Sequence, residues 1–473
     1  MPKFTSLSTL QSALRARTTS VRSVVQHYLD QIETHQSLNA YVEVWAEEAL
    51  AQADALDLRL RQKKPLGKLF GAVVSLKDNI CYAGHQVTAA SKILEGFTSL
   101  YSATAVERIL AEDAIIIGRT NCDQFGMGSS NENSVYGPVR NAAAPDRVPG
   151  GSSGGAAVSV QADTCLVAMG SDTGGSIRQP AAFCGLWGFK PSYGCISRHG
   201  LIAYGSSFDQ IGFLANNPDD IARFLEVCAG PDAFDSTVAD YGLQIAGSQS
   251  RSSRIAWIPE VLDSPGLDTG VRAVFLAYIE QLKSAGHQLI PVELPKLGEG
   301  TMLDYLVPTY YVLTTAEASS NLARYDGVRY GYRASGAKNL EETYRLTRTE
   351  GFSDEVKRRI LLGTFVLSSG YYDAYYQKAQ QVRRLIQEQT LAILSSNDFL
   401  LMPVAPTVAW PIGEKSDDPV AMYLADIFTV QANLAGVPAL ALPAGAHPEN
   451  GLPVGVQLLA GLGADVKLLS AFT

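Results

Sequence analysis

The chain has 473 residues, of which 46% are hydrophobic and 18% are charged, the ordinary composition of a globular protein with enough apolar material for a large core. Its formal net charge of −9 argues against a nucleic-acid-binding surface, because such surfaces are usually basic. A contact with RNA would therefore need a local patch or a partner chain.

Cysteine usage and hydropathy predict a cytoplasmic protein without membrane contact. The six cysteines form no C-x-x-C pair, and so low a density in a long chain indicates reduced thiols rather than a disulfide framework. The first residues contain no apolar signal segment. The longest apolar stretch, residues 399–413, is too short and too interrupted by proline to span a bilayer.

Apolar residues at helical spacing predict two helices near the N-terminus. Ser20 is a candidate cap for the first helix, because its side chain can accept a hydrogen bond from a free backbone amide. The second helix is predicted over residues 47–60. We assign residues 1–65 to this N-terminal helical segment.

A buried strand is predicted over residues 71–77, and it ends on a lysine. Its alternation places Val73, Ser75 and Lys77 on one face. A lone lysine usually reaches out to solvent along its own stem. The other interpretation is a desolvated amine, because burial lowers the pKa of lysine and makes Lys77 a plausible base.

A helix over residues 104–112 and a strand over residues 114–117 are predicted next, followed by a polar loop at 126–134. Two glycine-serine loops then flank a short predicted strand, residues 165–169. Glycine lets backbone amides approach a bound atom closely, and serine can serve as a nucleophile, so the two loops suit acyl transfer.

Each glycine-serine loop is predicted to lead into a helix. One helix covers residues 156–162, and the other begins near Pro180, since proline suits a first helical turn. Ser176 would then lie close to a helix N-terminus, where partial positive charge favours a developing anion.

The sequence at the two loops resembles the amidase signature family. The first loop reads Gly-Gly-Ser-Ser-Gly-Gly over residues 150–155, and the second reads Gly-Ser-Asp-Thr-Gly-Gly-Ser over residues 170–176. The resemblance implies that Ser176 is the nucleophile, that Ser152 relays its proton, and that Lys77 is the base.

The same resemblance implies further details of the site. The Gly151–Ser152 peptide bond should be cis. The oxyanion should be bound by backbone amides of the second loop, those of Thr173, Gly174, Gly175 and Ser176. The polar loop at 126–134, which contains Ser129, should lie beneath the substrate amide. No metal ligands are implied in this chain.

Ser152 is also a candidate nucleophile by a different route. Residues 150–154 fit the G-x-S-x-G pattern of a nucleophile elbow. That elbow should directly follow a strand, however, whereas residues 141–149 have the composition of a proline-containing loop. The elbow also leaves Lys77 and the second loop without a role, and none of the six histidines lies in a recognisable triad motif.

The rest of the chain predicts a partly parallel sheet. A strand at 255–258, a helix at 271–283 and a strand at 287–292 form a βαβ pattern. Residues 302–395 are mostly helical in pattern, and late strands are predicted at 400–403 and 439–443. We predict a single α/β domain with the amidase-signature fold, in which helices flank a mixed twisted sheet.

Three segments of that domain follow the N-terminal helices. Residues 66–245 form the signature core, residues 296–395 a helical insertion, and residues 396–473 the C-terminal part of the sheet.

Later segments resemble one branch of the family, the A subunits of tRNA-dependent amidotransferases. The resemblance is carried by residues 324–333, 351–378 and 426–428. In that branch a tyrosine, an arginine and an aspartate hold free glutamine, and by position these are Tyr310, Arg359 and Asp426.

The neighbours Tyr311 and Arg358 are alternatives, since each belongs to a doublet. The chemistry of the assignment is sensible, because a carboxylate suits a bidentate arginine and an ammonium suits a carboxylate. Taken singly, the three residues are better interpreted as a packed tyrosine, a surface arginine and a helix-capping aspartate.

The branch implies a glutaminase subunit that needs no cofactor of its own. A B subunit would use ATP and magnesium, bind most of the aminoacyl-tRNA and receive ammonia, and a small C subunit would hold the two together. The product would be Gln-tRNA or Asn-tRNA. One rival function is a free-standing amidase for small aliphatic or aryl amides. A non-enzymatic scaffold is a second rival, against which the intact Lys77, Ser152 and Ser176 argue.

Overall fold

Short apolar runs bounded by glycine and proline form the strands of a large central sheet. The computed structural model describes residues 3–243, 252–264, 266–416 and 418–471, so the last two residues of the predicted signature core lie outside the described residues. The strands are β1 Tyr41–Val44, β2 Val73–Lys77, β3 Ile115–Thr120, β4 Val167–Asp172, β5 Trp187–Lys190, β6 Gln210–Ala215, β7 Arg254–Trp257, β8 Gln288–Pro291, β9 Lys296–Leu297, β10 Gly300–Thr301, β11 Phe399–Pro403, β12 Ala439–Ala446 and β13 Pro453–Leu459.

Eleven of these strands form one mixed sheet in the order β1-β3-β2-β4-β6-β5-β12-β13-β11-β7-β8. Strand β2 is parallel to both β3 and β4, and β7 is parallel to both β8 and β11. The remaining neighbours are antiparallel. Strands β2, β3, β4 and β6 are buried along their whole length, as expected where helices cover both faces.

Helices lie around the sheet, and several of them pack directly against its strands. They are α1 Leu7–Arg15, α2 Val21–Thr34, α3 Ala46–Arg61, α4 Thr104–Ala111, α5 Gly154–Gln161, α6 Arg178–Cys184, α7 Pro218–Cys228, α8 Thr269–Ser284, α9 Met302–Asn321, α10 Leu340–Gly351, α11 Asp354–Val366, α12 Lys378–Ser396, α13 Pro419–Leu424, α14 Val430–Ala435 and α15 Asp465–Ser470. None of the described helices is long and apolar enough to cross a bilayer. All six cysteines are free thiols.

The α/β class and most predicted elements are confirmed, including the Ser20 cap and the βαβ pattern of β7, α8 and β8. The strand predicted at 165–169 begins two residues later and continues to Asp172. Strands β5 and β6 were not predicted, because each contains a glycine that breaks the apolar alternation. The structure explains Gly212: an added Cβ there would overlap the backbone oxygen of Phe189 on the neighbouring strand.

The helices α9 to α12 follow one another between residues 302 and 396, and Tyr310 of α9 lies against Gly174 of the second serine loop. Helices α9 and α11 approach each other closely at Gly363, where an added Cβ would overlap the backbone oxygen of Thr315. This contact fixes the two helices that carry the predicted tyrosine and arginine.

Candidate active site

The predicted catalytic residues meet at the carboxyl ends of two parallel neighbouring strands. Lys77 is the last residue of β2, and β4 ends at Asp172, within the second serine loop. Crevices outside the carboxyl ends of parallel strands are the usual ligand sites of α/β sheets. The first serine loop ends at the same place, where α5 begins.

The amine of Lys77 is buried and surrounded by three serine hydroxyls. Its Nζ is 2.7 Å from Ser152 Oγ, 2.9 Å from Ser153 Oγ and 2.9 Å from Ser171 Oγ. The side chain is completely buried. Burial lowers the pKa of Lys77 to about 8, against the opposing pull of nearby acids such as Asp123. The prediction of a desolvated amine is confirmed.

The hydrogen bonds around Lys77 are compatible with a neutral amine that accepts from Ser152. Ser153 Oγ donates its only proton to the backbone oxygen of Ser171 at 3.0 Å, so it can only accept from Lys77. Ser171 Oγ already accepts from Asn79 Nδ2 at 2.9 Å and can accept again from Lys77. A neutral amine that donated to both of these hydroxyls would keep its lone pair for the hydroxyl of Ser152.

The two serine loops adjoin through the backbone. The amide of Ser153 donates to the backbone oxygen of Ser176 at 3.1 Å. The Gly151–Ser152 peptide bond is cis, which confirms that expectation, and the Gly151 amide donates to Gln179 Oε1 at 3.0 Å. Ser176 Oγ has no hydrogen-bond partner among the residues that the structure describes, so the Ser152–Ser176 bond that a relay needs is not formed here.

The nucleophile elbow is not supported by the backbone around Ser152. Residues 148–151 directly before it belong to no strand. We call the part of the site formed by Lys77 and the two serine loops its amide end. This end therefore has the layout that the family resemblance implies, with a buried lysine beneath two serine loops.

An ion pair holds the second serine loop in place. Arg178 donates from Nε and Nη2 to Asp172 at 3.1 Å each, and both side chains are fully buried. Burial opposes ionisation of Asp172, but Arg178, Lys190 and Asn433 together lower the pKa of Asp172 to about 2. Asp172 Oδ1 also accepts from the Gly175 amide at 2.9 Å. That amide is thus engaged within the chain, and Thr173, Gly174 and Ser176 remain as predicted oxyanion donors.

The side chain of Asp426 lies at the other end of the site, away from Lys77, which we call the amino-acid end. Ser129 Oγ is 2.9 Å from both carboxylate oxygens of Asp426, and the hydroxyl of Tyr311 donates to Oδ2 at 3.3 Å. Burial raises the pKa of Asp426 to about 7. A cation placed beside Asp426 would favour its ionised form, as a substrate ammonium would.

The structure separates the members of each doublet. The side chain of Arg359 is 4% exposed, whereas that of Arg358 is 50% exposed and pairs with Glu355 at the surface. Both tyrosines are buried at the site, with Tyr311 bonded to Asp426 and the ring of Tyr310 packed against Gly174. Arg359 is therefore the arginine that faces inward.

A cavity of about 400 Å³ leads to this end of the site. Its wall includes Ser129, Arg359 and Tyr423, and Arg358 lies at the same wall. The volume suits a small polar molecule such as an amino acid. Among the described residues, no group of three or more His, Cys, Asp or Glu side chains could hold a metal ion.

Several residues at the site were not predicted from sequence. Asp209 accepts from Thr173 Oγ1 at 2.7 Å and from the Tyr204 amide at 2.8 Å, and Thr429 Oγ1 donates to the backbone oxygen of Gly174 at 2.6 Å. Glu355 Oε1 accepts from Arg359 Nε at 2.7 Å. Asp209 and Thr429 come from distant parts of the chain and belong to no local motif, so only the tertiary fold reveals them. Glu355 lies one helical turn before Arg359 on α11, a spacing that could have indicated the pair.

Replacing Gly174 with alanine should slow amide hydrolysis. An added Cβ would lie 2.5 Å from Tyr310 Oη, so either the loop or the ring must move. A displacement of about 1 Å at a reacting group can cost about 100-fold in rate, and we expect a loss of kcat of that order. Gly370→Ala is the matched control, because a Cβ there meets no atom within 4 Å. Unchanged kcat for Gly174→Ala would show that Tyr310 does not fix the loop.

Comparison with known proteins agrees with this geometry. The family model described as Amidase matches residues 23–469. The chain is 49% identical over 472 residues to the A subunit of glutamyl-tRNA(Gln) amidotransferase from Chlorobium luteolum, an alignment that covers 99% of this chain and 96% of that relative.

The similar solved structures include both an amidotransferase subunit and an amidase. The A subunit of glutamyl-tRNA(Gln) amidotransferase from Thermotoga maritima superposes with a TM-score of 0.76 at 36% identity, covering 95% of this chain and 90% of that chain. A crystal structure of an amidase superposes with a TM-score of 0.82 at 29% identity and covers 98% of both chains. Backbone similarity does not favour the amidotransferase over the amidase, whereas sequence identity does.

Proposed function

The chain belongs to the amidase family, and on that premise we propose that it is the glutamine-hydrolysing subunit of a tRNA-dependent amidotransferase. It would supply ammonia for the conversion of Glu-tRNA(Gln) or Asp-tRNA(Asn) to the amide form. The observation that carries this proposal is a buried guanidinium and a buried carboxyl group at one site, those of Arg359 and Asp426. Glutamine has both an α-carboxylate and an α-ammonium to match them, whereas a simple aliphatic or aryl amide has neither.

The reaction would begin with proton transfer away from Ser176. Neutral Lys77 takes the proton of Ser152, Ser152 takes the proton of Ser176, and Ser176 Oγ attacks the side-chain carboxamide carbon of glutamine. Backbone amides of the second loop stabilise the negative oxygen that forms, and one such donor is typically worth about 10²–10³ in rate.

Release of ammonia would return the proton. Lys77 gives it back through Ser152 to the departing nitrogen, the carbon–nitrogen bond breaks, and an acyl ester remains on Ser176. Water then attacks that ester by the same route, which releases glutamate and restores the hydroxyl of Ser176.

The other parts of the amidotransferase would reside in partner chains. We propose that a B subunit binds ATP, magnesium and most of the aminoacyl-tRNA. A small C subunit would hold this chain and the B subunit together, and the complex would be cytoplasmic. The net charge of −9 supports this division, because contact with tRNA phosphates favours a basic surface.

Ammonia release from glutamine, measured with and without the partner subunits, tests the proposal. We expect the chain assembled with B and C subunits to hydrolyse glutamine and to amidate charged tRNA with glutamine as nitrogen donor. We also expect poor turnover of simple amides such as propionamide or benzamide. Fast turnover of those amides by the isolated chain would favour a free-standing amidase, and no activity on any amide would favour a scaffold.

A further inference from the structure

Tyr204 places a hydroxyl directly beside the inward-facing arginine. Arg359 Nη1 donates to Tyr204 Oη at 2.8 Å, and Tyr204 is only 2% exposed. No described residue accepts a hydrogen bond from the phenol in return. A buried O–H group without an acceptor is costly, so such a group is normally directed towards a partner that completes it.

The other contacts of Arg359 leave one edge of its guanidinium for a ligand. Nε donates to Glu355, and the cation lies 5.2 Å from the ring centre of Tyr311 and 5.4 Å from that of Tyr423. No described residue accepts a hydrogen bond from Nη2, which is therefore the end of the fork left for a ligand. Tyr204 O–H and Arg359 Nη2 are two donors of one cluster, which could serve the two oxygens of one carboxylate.

Backbone contacts hold Tyr204 in this position. Its amide donates to Asp209 Oδ2 at 2.8 Å, and its carbonyl accepts from Asn321 Nδ2 at 3.0 Å. Asp209 also accepts from the hydroxyl of Thr173 at 2.7 Å. The phenol is therefore anchored to the loop that ends at Ser176.

We propose that Tyr204 is a specificity-determining residue that donates its hydroxyl hydrogen to the α-carboxylate of the amino-acid substrate, alongside Arg359. This inference rests on the proposed glutaminase function and deepens it. The phenol accepts from the guanidinium and donates to the carboxylate, so each of its hydrogen bonds strengthens the other. An amide that lacks the α-carboxylate gains nothing from this hydroxyl.

Tyr204→Phe tests the proposal, because it removes one oxygen and keeps the ring. The substrates are L-glutamine and 4-aminobutyramide, which is glutamine without its carboxylate. Loss of a hydrogen bond to a charged group should raise the KM for glutamine about 10-fold or more, with kcat little changed. The kcat/KM for 4-aminobutyramide should stay at the wild-type value. Tyr28→Phe is the matched control, since Tyr28 is a buried tyrosine of α2 whose hydroxyl has no partner in the structure.

The outcomes separate this proposal from the proposed function. Wild-type protein that does not hydrolyse glutamine would overturn the function itself. With an active wild type, an unchanged KM for glutamine in Tyr204→Phe would overturn the role of Tyr204. Equal losses on both substrates would also overturn it, because they would indicate a general structural role.

Discussion

Ser176→Ala should abolish glutamine hydrolysis and leave ammonia-dependent amidation by the assembled complex intact. Without Oγ no acyl ester can form, and removal of a nucleophilic serine typically costs about 10⁶-fold in kcat. The substitution removes only one oxygen from a residue that is 8% exposed, so the fold and the partner contacts should persist. If the chain serves only to release ammonia, added ammonium chloride should replace glutamine.

The experiment measures both reactions with the same complex. Ser284→Ala, at the exposed end of α8, is the matched control and should behave as wild type. Full glutaminase activity in Ser176→Ala, together with its loss in Ser152→Ala, would instead identify Ser152 as the nucleophile. Loss of ammonia-dependent amidation in Ser176→Ala would contradict the proposed division of labour within the complex.

Lys77→Ala should reduce the rate of glutamine hydrolysis by about 10³–10⁴-fold, near the upper range for loss of a general base. Lys77→Arg is the informative companion, because arginine keeps a positive charge but does not deprotonate at accessible pH. We expect it to be nearly as inactive as the alanine variant. High activity in Lys77→Arg would mean that charge, and not proton acceptance, is what the position supplies.

The pH dependence of kcat in the wild-type enzyme is a second test of Lys77 as the base. The active form of Lys77 is the neutral amine, so the fraction of active enzyme grows as pH rises through its pKa of about 8. At pH 7 roughly one amine in ten is neutral. We therefore expect kcat to increase from pH 7 to pH 9, and a flat profile over this range would contradict a lysine base with that pKa.

Local motifs made the amide end of the site predictable from sequence. The lysine at the end of a buried strand and the two glycine-serine loops stand out as short patterns, and the structure confirms that Lys77 contacts Ser152 and that the Gly151–Ser152 bond is cis. The catalytic roles of these residues and the domain boundaries remain predictions.

The amino-acid end of the site was less predictable. The helical period of α11 could have separated Arg359 from Arg358, because Arg359 lies on the same face as the buried Val356 and Gly363. Tyr204 and Asp209 follow no such period. They lie in a loop whose position depends on contacts with residues far away in sequence, which no local pattern encodes.

The close approach of α9 and α11 at Gly363 fixes the length of the pocket. Arg359 on α11 is braced against α9, and Tyr310 on α9 is braced against Gly174, two residues before Ser176. The spacing of the helices that carry Arg359 and Tyr310 is thus set by backbone packing at Gly363. We therefore expect asparagine, which is one methylene shorter than glutamine, to be the poorer substrate, by about 1–3 kcal/mol.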